Sequence, residues 1–422
     1  MTLAASFLGG ARDRLLPASI PFRFFVAATL FHILAWTMLL AGAGELPEFA
    51  GGPGLILAAL HLLTIGVLVI AAMGASYQLL PVAARHPLSR SWPAKLSFWL
   101  ITPGTAVLAI GMVDASTGML YVGGAGVSIG LLIFAGLTAD NLWRASAMPI
   151  VAAHGWAALA ALLGFLGLGL SLLADFDVGF LADRQIIATM HMILAAFGFM
   201  GLLVFGFSHI LIPMFVLSRT LPVRIGWLEF FLAACAVLMT IFGLLYGNYL
   251  LVIMAALIGL AASASYFWLM RCALATRMRK RLGLSFILIY ISWIMLAFSL
   301  LTGLAVSMEL PIPNGSTLFG FLAIVGWLLT FLMGILQRII PFLASMHAAG
   351  KNNVPPLLSE LTTEGPLKVH AACHFVALVS CSAGIILNTP ILVTMGAGLG
   401  TIGALAFSVF VGHVVLKLNP SR

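Results

Sequence analysis

Charged residues are scarce in this chain. Asp, Glu, Lys and Arg make up only 8% of the 422 residues, whereas hydrophobic residues make up 62%. The surface of a soluble domain needs roughly a quarter or more of its residues to be charged. This shortage excludes a soluble globular protein, because no soluble fold hides so much apolar surface. The sequence therefore predicts one integral membrane domain whose main solvent is lipid.

Cysteine is also scarce, and several common catalytic patterns are missing. The four cysteines, Cys235, Cys272, Cys373 and Cys381, all lie in or beside apolar runs rather than in polar loops. Disulfide bonds are therefore not expected. The sequence has no nucleotide-binding glycine loop, no serine-triad motif and no pair of carboxylates within an apolar run. Chemistry of those kinds is not predicted.

Twelve apolar runs are long enough to cross a bilayer, whose core takes roughly 20 residues of helix. The runs are continuous and rich in Gly, Ala and Leu, which favours helices over the alternating strands of a β-barrel. The sequence thus predicts an all-α, polytopic membrane protein with about twelve transmembrane helices. The runs cover residues 24–43, 55–80, 95–113, 119–140, 148–173, 187–215, 225–246, 249–270, 283–307, 316–343, 368–388 and 391–416.

The basic residues give the predicted topology. If the N-terminus is cytoplasmic, nineteen of the twenty Lys and Arg residues fall on the cytoplasmic side and only Arg184 falls outside. This is the bias expected of an inner-membrane protein. We therefore predict a multi-pass protein of a bacterial inner (plasma) membrane with both termini cytoplasmic. The net charge of +8 is explained by this topology and by contact with anionic lipid, so the expected partner is the bilayer and not nucleic acid.

One pattern occurs three times: a glycine, seven residues, a second glycine, six residues and a proline. About 0.2 chance occurrences are expected in a chain of this composition. The spacing between copies is 132 and then 128 residues, which predicts three sequential four-helix units covering about 1–145, 146–275 and 276–422 of a single transmembrane domain. The copies are Gly66, Gly74 and Pro81; Gly198, Gly206 and Pro213; and Gly326, Gly334 and Pro341.

Most of the histidines fall inside the predicted spans, where ionisable groups are costly and usually functional. His61 and His191 lie near the outer ends of helices 2 and 6, which are equivalent in the repeat, and we predict both as cofactor ligands. Relative to the repeat glycines they differ by about 200° in helical phase, so they need not face the same pore. His32 and His154, on the first helices of their units, are predicted as further cofactor ligands or as polar packing contacts.

A second candidate site lies in helix 11. His370, Cys373 and His374 have i, i+3 and i+4 spacing, which puts them near one another on the helix. Two imidazoles and a thiol suit copper, zinc or iron. His209, at a similar depth in the membrane, is predicted to complete this metal site. The alternative is that His370 only reaches the membrane interface and the others pack in the core.

The arrangement of helices resembles the haem–copper oxidase subunit I superfamily, which has twelve helices in three arcs of four. The segment HLLTIGVLVIAAMGASYQLLPV, starting at His61, looks like that family's helix 2 with its low-spin haem ligand. The segment HMILAAFGFMGLLVFGFSHILIPM, starting at His191, looks like its helix 6. The resemblance implies a haem b cofactor and, in addition, copper.

Two departures separate the chain from the catalytic members. Helix 10 has no histidine where the family has two, and helix 7 offers only Glu229 and Cys235 as possible ligands. The usual oxygen-reducing centre is therefore not expected. Length and topology are similar to divergent relatives of the nitric-oxide-response (NnrS) type. That resemblance implies a redox or nitric-oxide- or oxygen-related protein with an electron donor in the respiratory chain, and an oxidoreductase if haem is bound.

Two other functions stay open at the level of sequence. The membrane histidines would also suit a transporter or channel for a metal, haem or a small anion. The same scaffold could instead serve as a metal-free accessory or assembly protein.

Overall fold

The computed structural model describes residues 14–83, 86–88, 90–145, 148–352 and 356–418. The termini that the sequence places in the cytoplasm, 1–13 and 419–422, lie outside these residues. The described residues form twelve helices long and apolar enough to span a membrane, and the prediction of an all-α polytopic membrane protein is confirmed. They are α1 Ser19–Ala41, α2 Leu55–Ala83, α3 Trp92–Val113, α4 Thr117–Trp143, α5 Pro149–Val178, α6 Arg184–Val216, α7 Val223–Leu245, α8 Tyr249–Ala275, α9 Leu284–Ser307, α10 Gly315–Ala348, α11 Glu364–Ile386 and α12 Pro390–Leu418.

Local sequence signals set several helix ends. Asp183 accepts a hydrogen bond from the Ile186 N–H and starts α6, while Asn248 does the same for Leu251 at the start of α8. Such side-chain caps satisfy N–H groups that the helix itself leaves unpaired. At the end of α5, Gly179 adopts the left-handed conformation (φ 68°) that glycine tolerates best. The end of α5 and the start of α6, which lie close to His191 in the chain, are thus set by local sequence.

The three glycine–glycine–proline helices, α2, α6 and α10, pack in the same way against the first helix of their own unit. A Cβ placed on the second glycine would lie within 3.2 Å of one side chain of that first helix, respectively Phe24, His154 and Leu288. A Cβ on the first glycine would meet the side chain that lies seven residues later on that same first helix, respectively Phe31, Ala161 and Met295. The glycines therefore allow close helix packing, and these three sets of contacts occupy corresponding positions.

The same three helices contain π-helical segments of eight residues in the described part of the chain. These are Leu62–Val69 in α2, Leu194–Gly201 in α6 and Leu322–Leu329 in α10. The first glycine of the repeat is the fifth residue of each segment. π-Helical turns are rare and are frequently found at functional sites. The segment of α10 packs against those of α2 and α6, so the three unusual turns meet inside the protein.

The two ends of the bundle differ in charge. The end where α1 begins is called the basic end, because its loops contain Arg144, Arg219 and the tract 277–281. The opposite end carries Glu45 and Glu48 and is called the acidic end. At the last helix the bundle closes on itself, since α12 packs against α1. The indole of Trp36 lies directly on Gly400 there, with no room for a Cβ.

Candidate functional site

A cavity of about 1510 Å³ lies between α2, α6 and α10. Residues from all three π-helical segments line it, among them Ile65, Phe197 and Val325. Its lining is mostly apolar in the interior and extends to polar residues at the acidic end, which include Arg184, Gln185, Glu309 and Asn314. Its volume exceeds the roughly 300–1,000 Å³ of most small-molecule sites. The helix repeat thus surrounds a space for a large, mainly apolar ligand.

His61 and His191, each predicted as a cofactor ligand, are brought together on the wall of this cavity. Their ring centroids are 6.4 Å apart and the ring planes differ by 24°. The difference in helical phase does not separate them. When equivalent helices surround one cavity, each helix touches the next one with one side and the previous one with its other side. Two side chains on neighbouring helices therefore meet only if they lie on different sides of their helices, that is, if their helical phases differ.

Both rings are oriented by backbone carbonyl groups. His61 Nδ1 is 3.0 Å from the carbonyl oxygen of Leu57, and His191 Nδ1 is 2.8 Å from that of Phe165 in α5. A carbonyl oxygen only accepts hydrogen bonds, so each Nδ1 carries the proton and each Nε2 has a free lone pair. Among the described residues, neither Nε2 has a hydrogen-bond partner. This is the tautomer and second-shell contact typical of metal-binding histidines.

A separate cluster at the basic end joins three helices. His154 of α5 and His209 of α6 lie on either side of Glu229 of α7, with Nε2–Oε1 and Nε2–Oε2 distances of 3.2 and 3.1 Å. Glu229 is fully buried. The sequence assigned His154 to a cofactor and His209 to the site in helix 11. The structure instead places the two histidines with Glu229, away from both.

The third cluster is at the interface of α1 and α11. The ring of His370 lies 6.0 Å from that of His32 and 5.6 Å from that of His374, and all three residues are buried. Trp36 donates to His32 Nε2, while His374 Nε2 lies 2.7 Å from Thr330 Oγ1. His32 thus has polar neighbours on α11 rather than in the cavity.

Cys373 and His209, predicted as ligands with His370 and His374, are not part of this cluster. Cys373 is only partly buried, and no contact joins its thiol to the histidines among the described residues. With about 100° of rotation per residue, positions i+3 and i+4 fall on opposite sides of i, so Cys373 and His374 diverge. The i, i+3, i+4 spacing brings three side chains to the same part of the helix, but it does not point all three at one ligand.

No protein-family model and no curated protein matches this chain. The resemblance to haem–copper oxidases therefore stays a hypothesis, and the residues of the chain itself carry the evidence for a function.

Several residues of these sites gave no clear signal in the sequence. The sequence marks Glu229 only as a possible ligand on helix 7, although a carboxylate inside an apolar run is costly and usually functional. Thr330 carries no signal of its own in the sequence. In the structure it donates to the carbonyl of Val325, five residues back, and contacts His374. It therefore links the π-helical segment of α10 to the α11 histidines.

Gly169 makes room for His191 and gives a first prediction. A Cβ at Gly169 would lie 2.9 Å from His191 Cε1 and 3.2 Å from Nδ1, so Gly169→Ala should displace the ring from its bond to Phe165. We expect about a tenfold loss of affinity for any ligand that His191 coordinates, comparable to loss of a second-shell contact. Titration of the purified apoprotein with haemin measures this.

The matched control is Gly167→Ala in the same helix, where a Cβ would meet nothing within 4 Å. It should bind as the unmodified protein does. Equal affinity of the Gly169→Ala and Gly167→Ala variants would show that the orientation of His191 does not matter for the ligand.

Proposed function

We propose that the protein is a haem-binding membrane redox protein in which His61 and His191 coordinate the iron of a haem b. The observation that carries this proposal is the pair of imidazoles on the cavity wall, with ring centroids 6.4 Å apart and both Nε2 atoms free. Two imidazoles on opposite sides of one iron place their ring centres roughly 6 Å apart, since each metal–nitrogen bond is about 2.0 Å. The observed spacing fits that arrangement.

A haem suits the pair better than a bare metal ion does. Among the described residues, one group of three His, Cys, Asp or Glu side chains is close enough to hold an ion, and it is the cluster around Glu229. The pair His61 and His191 therefore supplies two ligands only, whereas protein sites for a bare transition metal usually supply three or four. A porphyrin brings four nitrogen ligands of its own, and it needs a large apolar space of the kind that this cavity offers.

The rim of the cavity offers a partner for the haem carboxylates. Arg184, on the cavity lining, donates to Asp175 Oδ2 at 2.7 Å and is partly exposed. Guanidinium groups form strong, often bidentate hydrogen bonds with carboxylates. We propose that Arg184 contacts a propionate while Asp175 holds the guanidinium in place. This orientation puts the propionates at the polar acidic end and the porphyrin body in the apolar interior.

Iron held by two histidines has no open coordination position, so the chemistry that such a haem supplies is electron transfer. Reduction of oxygen would need a second centre beside it, and the described residues around the cavity contain no third imidazole or thiolate close to the pair. We therefore propose an electron-transfer role in the metabolism of nitric oxide or oxygen, with an electron donor from the respiratory chain and without binding of either gas at this iron. The positive-inside rule puts the basic end in the cytoplasm of a bacterium and the haem in the outer half of the inner membrane.

The absorption spectrum and metal content of the purified protein test this proposal. We expect about one acid-extractable haem b per chain, since the sequence lacks the C-x-x-C-H motif that attaches haem covalently. Colourless protein from haem-replete cells would contradict it. Colourless protein that moves haem, a metal or an anion across liposomes would indicate the transporter. Metal-free protein that co-purifies with a respiratory complex would indicate the accessory role.

A further inference from the structure

The cluster of His154, His209 and Glu229 is a second site with its own chemistry. All three residues lie within two turns of the basic-end termini of α5, α6 and α7. The carboxylate of Glu229 has no solvent exposure, and the side chains of His154 and His209 are only 1% and 6% exposed. A carboxylate buried at this depth of a membrane protein needs a positive partner.

The hydrogen bonds of His154 show what kind of partner is needed. Its Nδ1 is 2.9 Å from the carbonyl oxygen of Ile150, so Nδ1 carries a proton. In a neutral imidazole Nε2 then has a lone pair, and this lone pair faces Glu229 Oε1 at 3.2 Å. Two lone pairs repel each other, so a cation must lie between them. The cation is either a proton or a metal ion.

The nitrogen–oxygen distances suit a metal ion as well as a hydrogen bond. The ligand atoms of the three side chains all lie within 4.8 Å of one another. Ligand atoms about 2.0–2.1 Å from a shared metal are separated by about 2.9 Å at right angles and about 3.4 Å at the tetrahedral angle. The observed nitrogen–oxygen distances of 3.2 and 3.1 Å fall between these values. The bond from His154 Nδ1 to Ile150 is also the second-shell contact that metal-binding histidines make.

The repeat shows that the scaffold itself does not require these residues. His154 corresponds to Phe24 and Leu288, which contact the equivalent glycines of the other two units. His209 corresponds to Tyr77 and Gln337, each three residues after its glycine. Packing at these positions is therefore satisfied by apolar or neutral polar side chains. Among the described residues, only the middle unit combines two imidazoles with a buried carboxylate.

We propose that His154, His209 and Glu229 bind one divalent first-row transition metal ion, of which zinc is the representative. Two imidazole nitrogens and one carboxylate are the donor set of open zinc sites and of non-haem iron(II) sites. This site is independent of the haem proposal, because it lies at the other end of α6 from His191 and shares no residue with the cavity lining.

Zinc binding to chelator-treated, purified full-length protein tests the proposal. We expect about one Zn²⁺ per chain by elemental analysis after removal of excess ion. Glu229→Gln and His209→Gln should each weaken binding more than about a hundredfold, since even second-shell changes cost 10–100-fold. The matched control is His347→Gln in α10, because His347 lies outside the cluster and its ring nitrogens hydrogen-bond to the backbone carbonyls of Leu343 and Leu16. The control should bind zinc as the unmodified protein does.

Each outcome decides the question. Unmodified protein that binds no zinc, or Gln variants that bind it equally well, would overturn the site and leave a proton between His154 and Glu229. If the variants fail to fold, the zinc X-ray absorption spectrum of the unmodified protein takes their place: imidazole and carboxylate ligands support the site, and a thiolate shell overturns it. The haem spectrum of the same samples tests the two proposals separately. Haem-free protein that binds zinc would contradict the haem proposal and leave the zinc site standing.

Discussion

Replacing His61 or His191 with alanine is expected to remove haem from the purified protein, to below about a tenth of the unmodified content. If each imidazole holds the haem iron as proposed, loss of either one should cost more affinity than the 10–100-fold typical of second-shell changes. Among the described residues, no third His, Cys, Asp or Glu side chain lies close enough to the pair to take the place of either ring. Haem content by acid extraction, relative to protein mass, measures the effect.

The control for these variants is His413→Ala. His413 lies in α12 and does not line the cavity, so its loss should leave haem content unchanged. If His61→Ala and His191→Ala retained full haem, the cavity pair would not be the site of coordination. An equal loss in all three variants would indicate a general effect of removing a membrane histidine rather than coordination.

The second large effect is expected at the α3–α4 interface. A Cβ at Gly123 would lie 2.4 Å from the backbone nitrogen of Leu108 and 2.6 Å from its Cα. Cβ atoms at Gly104 and Gly111 of α3 would also lie 2.9 and 2.8 Å from backbone atoms of α4, so the helices approach through glycines along most of their length. Gly123→Leu must therefore separate the two backbones. We expect a loss of about 3 kcal/mol or more of stability, measured by thermal unfolding in detergent.

Gly136→Leu, in the same helix, is the matched control. A Cβ at Gly136 would meet nothing within 4 Å, so a leucine there has space and should leave the unfolding temperature nearly unchanged. Similar unfolding temperatures for the two variants would contradict the close packing of α3 and α4. The pair also separates loss of helix packing from any general effect of a larger side chain in a transmembrane helix.

The helices were predictable from sequence because lipid imposes a simple rule. A span needs roughly 20 apolar residues, and the observed spans differ from the predicted runs by a few residues at each end. Where the differences are larger, as at Val178 at the end of α5, the helix continues past the apolar run to a glycine in the left-handed conformation. Hydropathy measures the lipid-facing part of a helix, whereas caps determine its actual end.

The sites were only partly predictable, because contacts between helices depend on rotation as well as depth. Depth alone grouped His209 with His370 and His374, yet His209 faces Glu229 of the next helix in the chain. Phase alone separated His61 from His191, yet neighbouring helices present opposite flanks to the cavity between them. The π-helical segments change the rotation per residue, and nothing in the sequence marks them. A count at about 100° per residue therefore gives the wrong phase for side chains on either side of such a segment.

Corresponding positions of the three units carry different chemistry. The position that packs against the second glycine of the repeat holds Phe24 in the first unit, His154 in the second and Leu288 in the third. The cavity, in contrast, draws on all three units through their π-helical segments. A repeated scaffold with one shared cavity thus allows single residues to be changed for function without altering the packing of the helices.

The most direct test of coordination by His61 and His191 is the electron paramagnetic resonance spectrum of the oxidised, haem-loaded protein. Two imidazoles on one iron give a low-spin ferric signal, and we expect that signal from the unmodified protein and its loss in the His61→Ala and His191→Ala variants. A high-spin signal in the unmodified protein, or a low-spin signal that persists without either histidine, would contradict coordination by His61 and His191.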